Sequence, residues 1–145
     1  MTRILALDHG SRRIGVAVGD TETRMAFARP ALRRRNEARD LAVIGELCAA
    51  EGIGLIIIGL PLNMDGSEGA QAAAARHFGD RLARIGLEVA YQDERLTSWE
   101  AGERLAEAGR RARRGSGELD SIAARLILQQ YLDAGRQPAT AEETE

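Results

Sequence analysis

Carboxylates that directly follow apolar strand-like runs are the residues of this 145-residue sequence best placed to do chemistry. Asp8 closes the apolar run 4–7, and Asp93 and Glu94 follow the run 87–91. A charge placed where a buried strand meets a turn is costly unless it is paired, and a metal ion is a common partner. The alternative for Asp8 is a purely local role, in which it hydrogen-bonds the backbone of the turn that follows.

Two further polar residues are predicted to lie near these acids. Asn63 follows another apolar run, 55–59, and Asp120 lies in the first turn of the last predicted helix, off its apolar stripe. The dipole of that helix favours an ionised Asp120. Because ligands of α/β sheets bind beyond the carboxyl ends of the strands, we expect these side chains to share one edge of a sheet.

Clustered carboxylates without a histidine or cysteine partner favour hard cations, so the expected cofactor is Mg²⁺ or Mn²⁺. His9 lies in the first turn and His77 within a predicted helix, so the two histidines do not form a pair of zinc ligands in this pattern. Carboxylates that hold two ions about 3.5–4 Å apart support in-line displacement at a phosphodiester, although the spacing does not require two ions rather than one. Arg12, Arg13 and Arg95 could neutralise phosphate charge.

The elements that must position these residues begin with a hairpin, in which two apolar runs are joined by a short polar turn. The runs 4–7 and 55–58 are apolar throughout, which predicts strands covered on both faces. Residues 25–28 predict a short third strand that Pro30 ends, and the run 87–91 predicts a further strand.

Four helices are predicted from apolar residues at helical spacing and from capping residues. The first has Asn36 as its N-cap and ends at Gly52, the second begins at about Ser67, the third opens at a Thr97–Glu100 capping box, and the last begins at about Glu118. This order of elements predicts one α/β domain with a mixed sheet over residues 1–134. Residues 135–145 are polar and acidic, and they predict a disordered tail.

The composition, with 44% hydrophobic and 29% charged residues, is that of a soluble globular domain. The sequence contains no run long and apolar enough to span a membrane and no secretion-signal pattern, which predicts a cytoplasmic protein without a membrane partner. Its net charge of −2 does not by itself suggest nucleic-acid binding, yet all 20 basic residues are arginines. They cluster at 33–35 and 110–114, and such local patches can hold nucleic acid, although solvated surface charge is the alternative.

Four motifs occur in a fixed order along the chain. They are Asp8-x-Gly10-Ser11-x-Arg13-Ile14-Gly15-Val16-Ala17, Gly59-Leu60-Pro61-Leu62-Asn63-Met64-Asp65-Gly66, Asp93-Glu94-Arg95-Leu96-Thr97 and Leu119-Asp120-Ser121-Ile122-Ala123-Ala124. Together they resemble the YqgF family of bacterial pre-16S ribosomal RNA nucleases, also described as Holliday junction resolvase-like. The resemblance spans roughly residues 3–133. It implies a ribonuclease H-like fold and a metal-dependent hydrolase that processes the 5′ end of pre-16S rRNA in ribosome biogenesis.

The resemblance also implies roles for individual residues. The catalytic and metal-binding triad would be Asp8, Glu94 and Asp120, and Asp93 ranks second to Glu94 because alternation along a strand turns it to the opposite side. From their charge and position in the sequence, rather than from the resemblance, we predict as substrate-binding residues Arg12, Arg13, Asn63, Arg95, Arg111, Arg113 and Arg114. Residues 110–118 depart from the family, which tends to carry lysines before the last aspartate, so the substrate contacts of this loop stay open.

Other functions stay open beside the nuclease interpretation. A Holliday junction resolvase would act on branched DNA and would need a dimer to cut a two-fold junction symmetrically. A non-catalytic RNA-binding ribosome-assembly factor could keep the fold without the reaction. The first motif also resembles the phosphate-binding hairpin of sugar kinases, but those proteins need a second domain. The expected partners are pre-16S rRNA and ribosomal precursor particles, and the sequence leaves monomer or weak homodimer undecided.

Overall fold

The computed structural model describes residues 1–94, 107 and 118–134 of the chain. The elements in this part are β1 (Arg3–His9), β2 (Arg13–Asp20), β3 (Ala26–Arg33), α1 (Glu37–Glu51), β4 (Ile53–Leu60), α2 (Ala70–Arg84), β5 (Val89–Asp93) and α3 (Glu118–Asp133). The helix predicted from Thr97 and the tail predicted for 135–145 lie outside the described residues.

The five strands form one mixed sheet in the order β3-β2-β1-β4-β5. β1 and β2 form the predicted antiparallel hairpin, and β3 adds antiparallel to β2. β4 runs parallel to β1, and β5 runs parallel to β4. The carboxyl ends of β1, β4 and β5 therefore meet at the same edge of the sheet, as the sequence predicts.

Alternation of side chains along the strands divides the core into two layers. Leu5 and Ile56 belong to the layer that the sheet shares with α1 and α2, whereas Ile4 and Ile57 belong to the layer shared with α3. These four side chains are at most 1% exposed. The prediction that β1 and β4 are covered on both faces is therefore confirmed.

The first helix begins and ends at the predicted residues. Asn36 accepts a hydrogen bond from the Arg39 amide at 2.9 Å, which satisfies one of the free N–H groups of the first turn of α1. Gly52 ends the helix with φ of 65°, a left-handed conformation that glycine adopts without strain.

The prediction that Pro30 ends the third strand is wrong, because β3 continues through it to Arg33. β3 is one of the two edge strands of the described sheet, and its register with β2 shifts between the pairs of Arg29 and Leu32. A proline is tolerated at such a position because no ladder hydrogen bond is lost there. The extension matters, since it carries the arginines of residues 33–35 up to the β1–β2 turn.

The second helix begins at Ala70, three residues after the predicted start at Ser67. Ser67 belongs instead to a turn, in which its amide and hydroxyl both donate to Oδ1 of Asp65 at 2.9 and 2.6 Å. Among the described residues, none of the helices has the length and apolar character needed to cross a bilayer.

Candidate active site

The acids that follow β1 and β5 come together on the face of the sheet covered by α3. Asp8 continues the alternation of Ile4 and Ala6, both of which pack in the α3 layer. Glu94 is the first residue after β5 and hydrogen-bonds the side chain of Asp8. Glu94, ranked above Asp93 from the sequence, is thus the acid that meets Asp8.

Burial and mutual repulsion raise the pKa of both carboxyl groups. Desolvation is the main cause of the rise in the pKa of Asp8 to about 6, and the charge of Asp120 adds to it. The pKa of Glu94 rises to about 7, again chiefly through desolvation and then through the charge of Asp8. A hydrogen bond joins the two carboxyl groups, so one of the two acids is protonated when it forms. Among the described residues, neither carboxyl group has a cationic side chain among the causes of its pKa shift.

Gly59 of β4 makes room for the Glu94 side chain. A Cβ at this position would lie 2.5 Å from Oε2 of Glu94 and 2.6 Å from Cδ1 of Ile127. The same Oε2 atom is buried and has no hydrogen-bond partner among the described residues. A buried carboxylate oxygen without a donor retains its capacity to accept a hydrogen bond or to bind a cation.

The third acid, Asp120, is placed by the contact between α3 and β2. Gly15 is the ladder partner of Asp8, and a Cβ on it would overlap the carbonyl group of Asp120. The absence of a side chain at Gly15 therefore lets the first turn of α3 lie directly on the strand beside Asp8. The charge of Asp120 acts on Asp8 for this reason.

Ser121 fixes this approach, a role that the sequence reasoning missed. Its hydroxyl accepts a hydrogen bond from the Val16 amide at 3.1 Å, and the residue is 3% exposed. Val16 lies where the β2–β3 register shifts. The available signal was a serine, a weak helix former, directly after Asp120 in the fourth motif.

The donor set of the site suits a hard divalent cation. Asp8, Glu94 and Asp120 offer only carboxylate oxygens, while His9 turns to the other face and packs on Phe78 with ring centroids 4.9 Å apart. Within the described residues, no three acidic, histidine or cysteine side chains are grouped to hold an ion as they stand. What the structure provides is the bonded pair Asp8–Glu94 with the charge of Asp120 beside it. The Oε2 atom of Glu94, which has no hydrogen-bond partner among the described residues, is a further oxygen that a cation could use.

Asn63, predicted to bind substrate, lies in the loop after β4 and is exposed. Its side-chain amide donates to Oγ of Ser67 at 2.9 Å, and its backbone carbonyl accepts from the Gly66 amide at 2.8 Å. Gly66 has φ of 90° and allows the tight turn. The Asn63 side chain therefore organises this loop at the edge of the sheet where the acids lie.

Of the predicted substrate-binding arginines, Arg12 and Arg13 lie at the turn between β1 and β2. They line a groove together with Ser11 and the arginines at 33–35. The other four, Arg95, Arg111, Arg113 and Arg114, lie outside the described residues.

Comparison with known proteins gives one family match over almost the whole chain. The family model described as "RuvX: Holliday junction resolvase" matches residues 2–134. A Thermosynechococcus vestitus protein named "Putative pre-16S rRNA nuclease" is 42% identical over 142 residues, which covers 97% of this chain and 94% of the relative. A protein of the same name from Anaeromyxobacter dehalogenans is 47% identical over 132 residues, covering 90% of this chain and 96% of the relative.

Solved structures share the fold at low sequence identity. The Thermus thermophilus RuvC structure aligns with a TM-score of 0.61 and 16% identity, covering 92% of this chain and 95% of RuvC. RuvC in complex with its Holliday junction substrate aligns with a TM-score of 0.58 and 13% identity, with the same coverage. The large terminase nuclease of thermophilic phage G20c aligns with a TM-score of 0.54 and 13% identity, covering 90% of this chain and 81% of the nuclease.

Proposed function

The chain belongs to the RuvX family, and we propose that it is a divalent-metal-dependent nuclease that hydrolyses phosphodiester bonds in the precursor of 16S ribosomal RNA. RuvX and YqgF are names of the same family, so the family predicted from the four motifs is confirmed, as is the ribonuclease H-like fold. The names of the curated relatives support RNA as the substrate. Processing within ribosomal precursor particles in the cytoplasm is part of the proposal.

The observation that carries the proposal is the half-buried Asp8–Glu94 pair at the carboxyl edge of the sheet. Both pKa values are raised, and both side chains are half-buried beside the start of α3. Burying two acids together reduces the stability of the fold. Such a pair is therefore typical of a functional site, where the negative charge binds a ligand or takes part in the reaction. A hard cation is the partner that carboxylate oxygens select.

Each acid has a distinct part in this proposal. Asp8, Glu94 and Asp120 would hold one or two Mg²⁺ or Mn²⁺ ions, and these supply Lewis-acid activation of water and stabilisation of the leaving oxygen. The Asp8–Glu94 pair would give up its shared proton on binding a cation, because a metal ligand must be deprotonated. Asp8, fixed on a central strand, orients the pair, and Ser121 keeps Asp120 in place.

The experiment that tests the proposal compares two substrates and three proteins. A 5′-extended pre-16S rRNA fragment and a four-way DNA junction are each incubated with Mg²⁺, Mn²⁺ or chelator. The proteins are the wild type, Asp8→Asn and the control Glu46→Gln, in which an exposed acid of α1 is changed. We expect metal-dependent shortening of the RNA by the wild type and the control, and none by Asp8→Asn.

Two outcomes would contradict the proposal. Symmetric cuts in the junction without cleavage of the RNA would assign branched DNA as the substrate and require two active sites. RNA cleavage that persists in Asp8→Asn would remove the role assigned to Asp8.

A further inference from the structure

A groove beside the β1–β2 turn collects five of the arginines of the chain. Its volume is about 500 Å³, within the range of ligand-binding pockets. It is lined by Ser11, Arg12, Arg13, Arg33, Arg34 and Arg35. Arg13 lies two residues before Gly15 on β2, and thus on the same face of the sheet as Asp8, the ladder partner of Gly15. Through Arg13, the arginine groove reaches the face of the sheet that carries Asp8.

One buried acid and one guanidinium group hold the walls of the groove together. Asp40 of α1, 5% exposed, accepts from Nε of Arg34 at 3.3 Å and from the Arg35 amide at 3.1 Å. Arg34 then spans to the other wall, where its guanidinium donates to the Gly10 carbonyl at 3.1 Å and its amide to the Arg12 carbonyl at 2.9 Å. The groove is thus formed before any ligand arrives.

The groove holds more positive charge than its own acid can balance. Asp40 forms an ion pair with Arg34, and within the described part of the chain Arg12, Arg33 and Arg35 form none with a carboxylate. The β2–β3 register also places Arg13 directly opposite Arg33. Like charges at directly opposed positions destabilise a sheet, and a bound anion relieves their repulsion. Planar guanidinium groups can each donate two hydrogen bonds to the oxygens of one phosphate, so a cluster of arginines suits a phosphate ligand.

We propose that the arginine groove binds a backbone phosphate of the nucleic-acid substrate at a position separate from the bond that is cut, and that Asp40 is the residue that positions its arginines. The inference rests on the proposed function, since the bound strand is the one that extends to the Asp8–Glu94 pair. The groove recognises phosphate and therefore does not distinguish RNA from DNA.

The test measures binding in chelator, where no cleavage contributes. Fluorescent single strands of RNA and DNA of identical sequence are titrated with wild type and Arg33→Gln/Arg35→Gln at several salt concentrations. Each lost phosphate contact should reduce the slope of log Kd against log salt by about 0.7 and weaken binding about fivefold at 0.1 M salt. We expect the loss on both strands.

A matched control removes the same number of positive charges from a different part of the surface. Arg24→Gln/Arg84→Gln removes two exposed arginines outside the groove, at the β2–β3 turn and the end of α2. We expect its salt slope to equal that of the wild type. The proposal is overturned if Arg33→Gln/Arg35→Gln keeps the wild-type slope, if the control loses as much, or if the loss is confined to RNA, which would indicate contacts to the 2′-hydroxyl.

The role of Asp40 is tested with Asp40→Asn, which can still accept one hydrogen bond but does not balance the charge of Arg34. We expect a higher KM, a smaller change in kcat and an altered salt slope. A purely structural role would lower the folded fraction without changing the slope of the folded protein. If Asp40→Asn does not fold, the Arg33→Gln/Arg35→Gln titration still tests whether the groove binds phosphate.

The groove and the nuclease proposal can fail separately. If Arg33→Gln/Arg35→Gln reduces the salt slope but the wild type cleaves neither substrate, the groove proposal is supported and the nuclease proposal is refuted. If the wild type cleaves RNA but Arg33→Gln/Arg35→Gln keeps the wild-type salt slope, the nuclease proposal is supported and the groove proposal is refuted.

Discussion

The carbonyl group of Asp120 lies directly on Gly15, at the point where α3 begins against β2. Because Gly15 is also the ladder partner of Asp8, this close approach brings two acids from opposite ends of the chain to one place. A residue without a side chain is therefore a structural requirement of the site, although it supplies no chemical group.

Gly15→Ala should damage both stability and cleavage. A Cβ at this position meets backbone atoms that cannot move independently of α3, so we expect a loss of about 1–3 kcal/mol in the free energy of unfolding. The cleavage rate should fall further than the loss of folded protein explains, because Asp120 is displaced. Urea unfolding and single-turnover cleavage measure the two effects. Gly45→Ala is the control, since a Cβ there meets no atom within 4 Å and should stabilise α1 by about 0.5–1 kcal/mol. Equal behaviour of the two variants would refute the role of Gly15.

Gly59→Ala should act on Glu94 rather than on Asp120. The new methyl group would occupy the space of Oε2 of Glu94 and shift that carboxyl away from Asp8. A displacement of about 1 Å in a catalytic group costs about 100-fold in rate, so we expect a loss of that order in kcat. Gly54→Ala on the same strand is the comparison, because its Cβ would meet the Thr2 methyl group at 3.2 Å and the Arg3 carbonyl oxygen at 3.9 Å, and neither belongs to the site. A Gly59→Ala protein with the wild-type kcat would show that Glu94 does not need its present position.

The metal-free protein should lose stability as the pH rises from about 4 to about 8. The pKa of Asp8 is raised from 3.8 to about 6 and that of Glu94 from 4.5 to about 7, so the unfolded chain releases these protons first. Stability contributed by the protonated pair is complete below about pH 4 and is lost above pH 7, by up to about 6 kcal/mol. Urea unfolding in chelator across this range measures it.

Asp8→Asn identifies the source of that pH dependence. Removing one of two repelling carboxylates should make the metal-free variant more stable than the wild type at pH 8 and flatten the decline. Adding Mg²⁺ should stabilise the wild type, most strongly at pH 8, and leave Asp8→Asn unchanged. A variant less stable than the wild type at pH 8 in chelator would contradict the assignment.

Ser121→Ala should separate the placement of Asp120 from the general packing of α3. The change leaves the buried Val16 amide without its acceptor, which costs about 1–3 kcal/mol, and it loosens the first turn of the helix. We expect kcat to fall together with stability. Gln129→Ala removes a comparable tether further along α3, where the side chain accepts from the Ala26 amide at 3.0 Å. That variant should lose stability and keep the wild-type kcat when corrected to folded protein, and an equal loss of kcat in both would remove the special role of Ser121.

Local sequence determined the elements and the edge at which the acids gather. Apolar runs without interruption predicted the buried strands β1 and β4, and Asn36 and Gly52 predicted the ends of α1, because each of these signals acts within a few residues. Parallel strand order then followed from the alternation of strands and helices. The prediction of acids at a shared edge needed no knowledge of tertiary contacts.

Only the tertiary structure decided which groups meet. Pro30 does not end β3, because its position at a register shift of an edge strand cannot be read from neighbouring residues. The arginine groove depends on that extension, which brings residues 33–35 to the β1–β2 turn. The contact of Asp120 with Gly15 and the shared proton of Asp8 and Glu94 depend on how closely α3 and β5 approach the central strands. Such distances are set by packing across the sheet, and the raised pKa values follow from burial that the folded chain alone creates.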